Sequence, residues 1–108
     1  MENTPRAIKE FNEFKYNKRE EIFTKSKWEG DWEDNNAVLL ICAEYVCSSE
    51  EEVEMCHINY CDKYWGSKRF NEWLDKYNFH MEWHNSCVVY IYLKKNITYI
   101  YQKKYNII

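Results

Sequence analysis

The chain has 108 residues, of which 45% are apolar and 19% aromatic, with two glycines, one proline and a formal net charge of −3. That length and composition suffice for one core, so a single domain over 1–108 is expected and a disordered chain is excluded. There is no run of about 18 apolar residues to form a helical membrane span, and the opening Met1-Glu2-Asn3-Thr4-Pro5-Arg6 lacks the apolar stretch of a secretory leader, so a cytoplasmic protein is expected.

Pro5 to Lys25 predicts an amphipathic helix, with Thr4 placed to cap it and Ile8, Phe11, Phe14 and Ile22 near one stripe. Tyr16 to Glu21 is polar enough to interrupt that helix. Trp28 to Asn36 reads as a connector in which two tryptophans, Trp28 and Trp32, stand among Glu29, Asp31, Glu33 and Asp34. Ala37 to Val46 predicts a strand, and because Ala37 to Cys42 is apolar on both faces it belongs beside another buried strand. Ser48 to Tyr64 reads two ways. Ser49 with Glu52 resembles a capping box opening a helix, whereas Cys56, His57, Ile58, Asn59 and Tyr60 are poor helix formers and favour a strand over Val53 to Tyr60.

The plainest helix signal is Ser67 to Tyr77, with Phe70, Trp73, Leu74 and Tyr77 at i, i+3, i+4 and i+7. Three period-two stretches follow, Phe79 to Trp83, Cys87 to Lys94 and Ile97 to Lys103, which predict an antiparallel meander. Two-residue turns at Asn85-Ser86 and Lys95-Asn96 would place Tyr90 opposite Tyr101 and Tyr92 opposite Tyr99, and would put His80, Glu82 and His84 on the face of Val89 and Ile91. The middle strand is apolar on both sides, so the expected fold is α+β. It is a four- or five-stranded, mostly antiparallel sheet with the meander at about 79–103, and helices at about 5–25 and 67–77 covering its two faces.

Charge is segregated along the chain. Residues 28–62 carry ten acidic side chains and no Lys or Arg, whereas residues 1–27 carry seven basic and five acidic, and residues 63–108 eight basic and three acidic. Such a run solvates a surface or steers the protein onto a basic partner. Tryptophans beside the acids supply the kind of anchor that carries interface energy.

Sites for chemistry are sparse. Cys42, Cys47, Cys56 and Cys61 are spaced C-x4-C-x8-C-x4-C, too wide for a zinc turn, and on one strand Cys42 and Cys47 point to opposite faces. Five cysteines, several in apolar contexts, suit a reducing compartment. His80, Glu82 and His84 alternate on one strand face, the residue types of a divalent-metal or acid–base site. Tyr90, Tyr92, Tyr99 and Tyr101 with Lys94, Lys95, Lys103 and Lys104 could stack bases of a nucleotide or single strand. Neither a glycine-rich phosphate loop nor a nucleophile motif is present.

These features lead to the expectation of a small acidic, non-enzymatic inhibitor without cofactor or metal, of the kind that toxin-immunity proteins and phage or viral anti-defence proteins represent. Trp28, Glu29, Asp31, Trp32, Glu33, Asp34, Glu50, Glu51, Glu52 and Glu54 would contact a basic protein such as a nuclease or defence effector; neither a membrane nor direct nucleic-acid binding is expected. The rival expectations are the tyrosine-face nucleotide binder, a metal enzyme on the histidine strand, and a virion component that self-associates through a sheet edge.

Overall fold

The computed structural model describes residues 4–16, 19–28, 32, 36–43, 55–61 and 63–94. They form two helices and a four-stranded sheet: α1 (Thr4–Phe14), β1 (Glu20–Phe23), β2 (Leu39–Ala43), α2 (Lys68–Lys76), β3 (Phe79–Trp83) and β4 (Val88–Leu93). The strand order is β1-β2-β4-β3 with every neighbour antiparallel. The expected α+β sheet is therefore present, and β2 lies beside β4 as its two-faced apolar pattern requires. Among the described residues no helix is long and apolar enough to cross a membrane.

The stripe of α1 is carried by Ala7 and Phe11, both buried, with Ile8 and Phe14 packed at its margin. The helix stops at Phe14, so the expected helix over 5–25 is two elements. It ends just ahead of the polar Tyr16, whose N–H donates at 2.7 Å to the carboxylate of Glu20, a residue only 1% exposed. Ile22, the last residue of the presumed helical stripe, lies opposite Ile41 in the sheet instead. Its neighbours Glu21 and Phe23 point to the other face, a period of two that four residues are too few to announce.

α2 follows its signal closely. Ser67 caps it, its Oγ accepting the Phe70 N–H at 3.1 Å, and Phe70, Trp73 and Leu74 are buried. At the far end Asn78 takes φ 58°, a left-handed conformation that Asn tolerates after a helix. Before the cap, Gly66 has φ +84°, and a Cβ there would stand 2.4 Å from the Phe70 ring.

Both helices cover the same face of the sheet, which corrects the expectation of one helix on each side. Ala7, Phe11, Phe70, Trp73 and Leu74 pack with Leu39, Ile41, Ala43, Phe79, Met81, Val89 and Ile91 in one core. The Trp73 indole N–H donates to the Ala7 carbonyl at 2.9 Å and joins the helices through the middle of that core. On the opposite face Leu40, Tyr90 and Tyr92 are buried with Ala37 and Trp32, and Phe23, Trp28 and Val88 pack around them. Trp28 and Trp32 thus act as cover where a second helix was expected.

The β3–β4 hairpin differs by one residue from the expected register. Glu82 pairs with Tyr90 and His80 with Tyr92, so these side chains share the tyrosine face, not the face of Val89 and Ile91. The cause is the turn: Asn85 Oδ1 accepts the N–H groups of Cys87 at 2.8 Å and Val88 at 2.9 Å, and the His84 N–H donates to the Val88 carbonyl at 2.8 Å. The side chain absorbs a third residue into the connection, and a one-residue slip exchanges faces. Tyr90 has Leu40 on one side and Glu82 on the other. The expected third meander strand, Ile97 to Lys103, lies outside the described residues.

Candidate functional site

The described residues 56–61 and 63–66, ahead of the cap of α2, form a loop rather than the expected strand, whose first residues Val53 and Glu54 lie outside the described residues. Its ends are tied together: the Ser67 N–H donates to the His57 carbonyl at 2.6 Å, and His57 Nδ1 meets Ser67 Oγ at 2.8 Å. Inside it the Lys63 N–H donates to Asn59 O at 2.8 Å, the Gly66 N–H to Lys63 O at 2.7 Å and the Cys61 N–H to Asn59 Oδ1 at 3.0 Å. Lys63 Nζ reaches back to the Cys56 carbonyl at 2.7 Å, and Asn71 Nδ2 donates to the carbonyls of Trp65 and Ser67 at 2.8 and 2.9 Å. A surface loop with joined ends and its own internal bonds has the form of an Ω-loop.

The base of this loop rests on Glu20. Its Oε2 accepts the backbone N–H groups of His57 at 2.8 Å and Ile58 at 2.6 Å, while Oε1 holds Tyr16. A buried carboxylate is costly unless such donors surround it. Burial nevertheless raises its pKa above the ordinary carboxyl value, against the opposing pull of the three N–H groups. Burial also lowers the pKa of His57, whose ring meets Phe14 edge-on at 5.1 Å. One acid and one imidazole therefore fasten β1, the end of α1 and the loop together.

The loop carries an aromatic cluster into solvent. Trp65 is 68% exposed, Met55 52%, Tyr64 42% and Tyr60 40%, and no other large apolar side chain of the described residues is so exposed. Tyr60 meets Tyr64 at 5.5 Å and Trp83 at 5.2 Å, Tyr64 stacks on Trp83 at 6.1 Å and 29°, and Trp65 stands edge-on to Tyr64 at 4.9 Å. The Trp83 indole N–H donates to the Tyr64 carbonyl at 2.6 Å, fixing the loop against the end of β3. Exposed aromatics that already hold one another in place present ring faces at little further entropy cost, as binding surfaces do.

The residues that sequence reasoning singled out are placed differently. Trp32 is buried in the second core and Trp28 is half-buried beside Phe23. Glu29, Asp31, Glu33, Asp34, Glu50, Glu51, Glu52 and Glu54 lie outside the described residues, as do Tyr99 and Tyr101. Tyr90 and Tyr92 are buried against Trp32, Ala37 and Leu40, so neither offers a stacking face to solvent. Among the described residues no three His, Cys, Asp or Glu side chains gather to hold a metal ion; Cys56 is buried, Cys61 exposed, and His57 is bonded to Ser67.

The Tyr60–Trp65 cluster was not singled out from the sequence. Its signal is Tyr64-Trp65 immediately before Gly66, two large rings outside any helical stripe and beside a turn residue.

The fold and this loop together define a small α+β domain with an aromatic surface. No protein-family model, curated protein or solved structure matches the chain.

Proposed function

We propose that the protein is a small, non-enzymatic, cytoplasmic inhibitor that binds and blocks a basic protein surface, in the manner of a toxin-immunity or anti-defence protein. The observation that carries this reading is the base-free run of ten acids over 28–62. Acids so concentrated steer a basic partner into contact and reject acidic ones. Two further features support it. The sequence lacks the phosphate-loop and nucleophile motifs of an enzyme, and the exposed side chains of Met55, Tyr60, Tyr64 and Trp65 lie within or directly after the acidic run.

The test begins with native mass spectrometry of the protein recovered at low salt from the cells that make it, where a one-to-one complex with a basic protein is expected. Replacing Asp31, Glu33, Asp34, Glu51 and Glu52 by the corresponding amides should slow association with that partner and flatten its salt dependence. A bare monomer, or kinetics untouched by the five replacements, overturns the proposal.

A further inference from the structure

We infer that the rings of Tyr60, Tyr64 and Trp65, walled by Trp83, form a receptor for an Arg or Lys side chain projecting from the basic partner, an inference that rests on the inhibitor reading above. An aromatic face carries a negative quadrupole, and a cation over it is held most strongly by Trp and Tyr. Trp65 and Tyr64 stand at 90° to each other and Tyr60 at 89° to Trp83, so the rings present faces in crossed directions rather than one flat stack. That arrangement offers a single guanidinium or ammonium group ring faces in more than one direction, whereas successive bases of a strand need parallel faces.

This fold already seats cations on rings. The Arg69 guanidinium lies 4.3 Å from the Phe14 centroid, and Lys25 and Lys76 lie 5.5 Å from Trp32 and Tyr77. Of the three bases nearest the loop rings in sequence, Lys63, Lys68 and Arg69, two are directed elsewhere: Lys63 Nζ donates to the Cys56 carbonyl, and Arg69 pairs with Glu10 at 3.1 Å. Tyr60 itself belongs to the stretch without Lys or Arg, with Asp62 two residues on. The acidic, base-free sequence that leads into the rings makes a positive group the complement we infer. Lys68, exposed at the start of α2, is the residue that would favour a phosphate group, and a nucleic-acid strand stacking on the rings is the competing outcome.

The experiment titrates the intact chain by calorimetry, at low and high salt, with three probes: a short arginine-rich peptide, the same peptide with citrulline for arginine, and an oligothymidylate. The arginine peptide should bind and the citrulline peptide should bind several-fold more weakly. Trp65→Ala should weaken the arginine peptide roughly 2- to 30-fold at both salt concentrations, with the thermal unfolding curve unchanged. Tyr64→Leu, which keeps bulk but removes the ring, should do the same. Equal binding of the two peptides, wild-type affinity in both variants, or loss of oligothymidylate binding in Trp65→Ala overturns the inference. The chain with its five acids amidated separates the two readings. If its salt dependence flattens while Trp65→Ala binds as wild type, the acidic reading stands and the ring receptor falls; the reverse result retains the receptor and removes the acidic reading.

Discussion

Two aromatic clusters in this protein are built from the same contacts and differ in what surrounds them. Around Trp73, the rings of Phe11, Phe70, Tyr77 and Phe79 lie at centroid distances of 5.2 to 6.2 Å, and Trp73 is fully buried. Around Trp83, the rings of Tyr60 and Tyr64 lie at 5.2 and 6.1 Å, with Trp65 beyond them in solvent. Ring–ring geometry therefore does not distinguish a core from a surface. What does is the apolar area removed from water, which is nearly all of Trp73 and a minority of Trp65. The first cluster holds the fold together, whereas the second is held in place by the fold.

That contrast can be tested by substitution. The largest effect should come from Trp73→Ala, which removes the central ring and its bond to Ala7; a loss of about 3–5 kcal/mol is expected from chemical denaturation, and a loss under about 1 kcal/mol would contradict its placement. Glu20→Gln comes next, because an amide nitrogen would face one of three backbone donors. A loss of about 1–3 kcal/mol is expected, together with faster hydrogen exchange at the His57 and Ile58 amides, and unchanged exchange would show that Glu20 does not anchor the loop.

A smaller effect concerns Glu10, which joins α1 to α2 through Tyr77, Arg69 and Lys76. The bond from the Tyr77 hydroxyl, with help from the two bases, lowers its pKa from 4.5 to about 2. A carboxyl with a depressed folded-state pKa stabilises above its unfolded value, and that stability is lost as pH falls from about 4.5 towards 2. Thermal melts of Glu10→Gln should accordingly lie below wild type at pH 6 and converge with it near pH 2; parallel curves would remove Glu10 from the acid response. The smallest effect belongs to Trp65→Ala, expected to stay within about 0.5 kcal/mol of wild type. A Trp65 variant that fails to fold would erase the distinction between the clusters.

The legible parts of the sequence were those with a full period. Phe70, Trp73, Leu74 and Tyr77 gave α2 and its apolar side, and Phe79 to Trp83 gave β3 with the bounds observed. β1 was hidden because Glu20 to Phe23 is short and Ile22 continued the stripe of α1 by coincidence of spacing. The hairpin register was missed because an Asn side chain, not the backbone alone, closed the turn. Sidedness failed for another reason: periodicity says that a strand needs cover on both faces but not whether a helix or two tryptophans provide it. Of the site, the charge run was visible in the composition. The Tyr60–Trp65 surface was not, since a loop's aromatics acquire meaning only when Glu20 and Ser67 fix where the loop stands.

The Asn85 turn has a consequence for how this chain can vary in length. Hairpin tips are usually the positions most forgiving of inserted or deleted residues, and Asn85 and Ser86 are exposed. Here one of them sets parity. The same chain closed by a two-residue Asn85-Ser86 turn would bring Glu82 opposite Val89 and His80 opposite Ile91, carrying a carboxylate and an imidazole under the helices. Deleting Ser86 would not do so, because the strand ends would still meet at His84 and Val88 with Glu82 opposite Tyr90. Descendants of this sequence should therefore vary freely at Ser86 and keep at position 85 a side chain that accepts from the two backbone N–H groups.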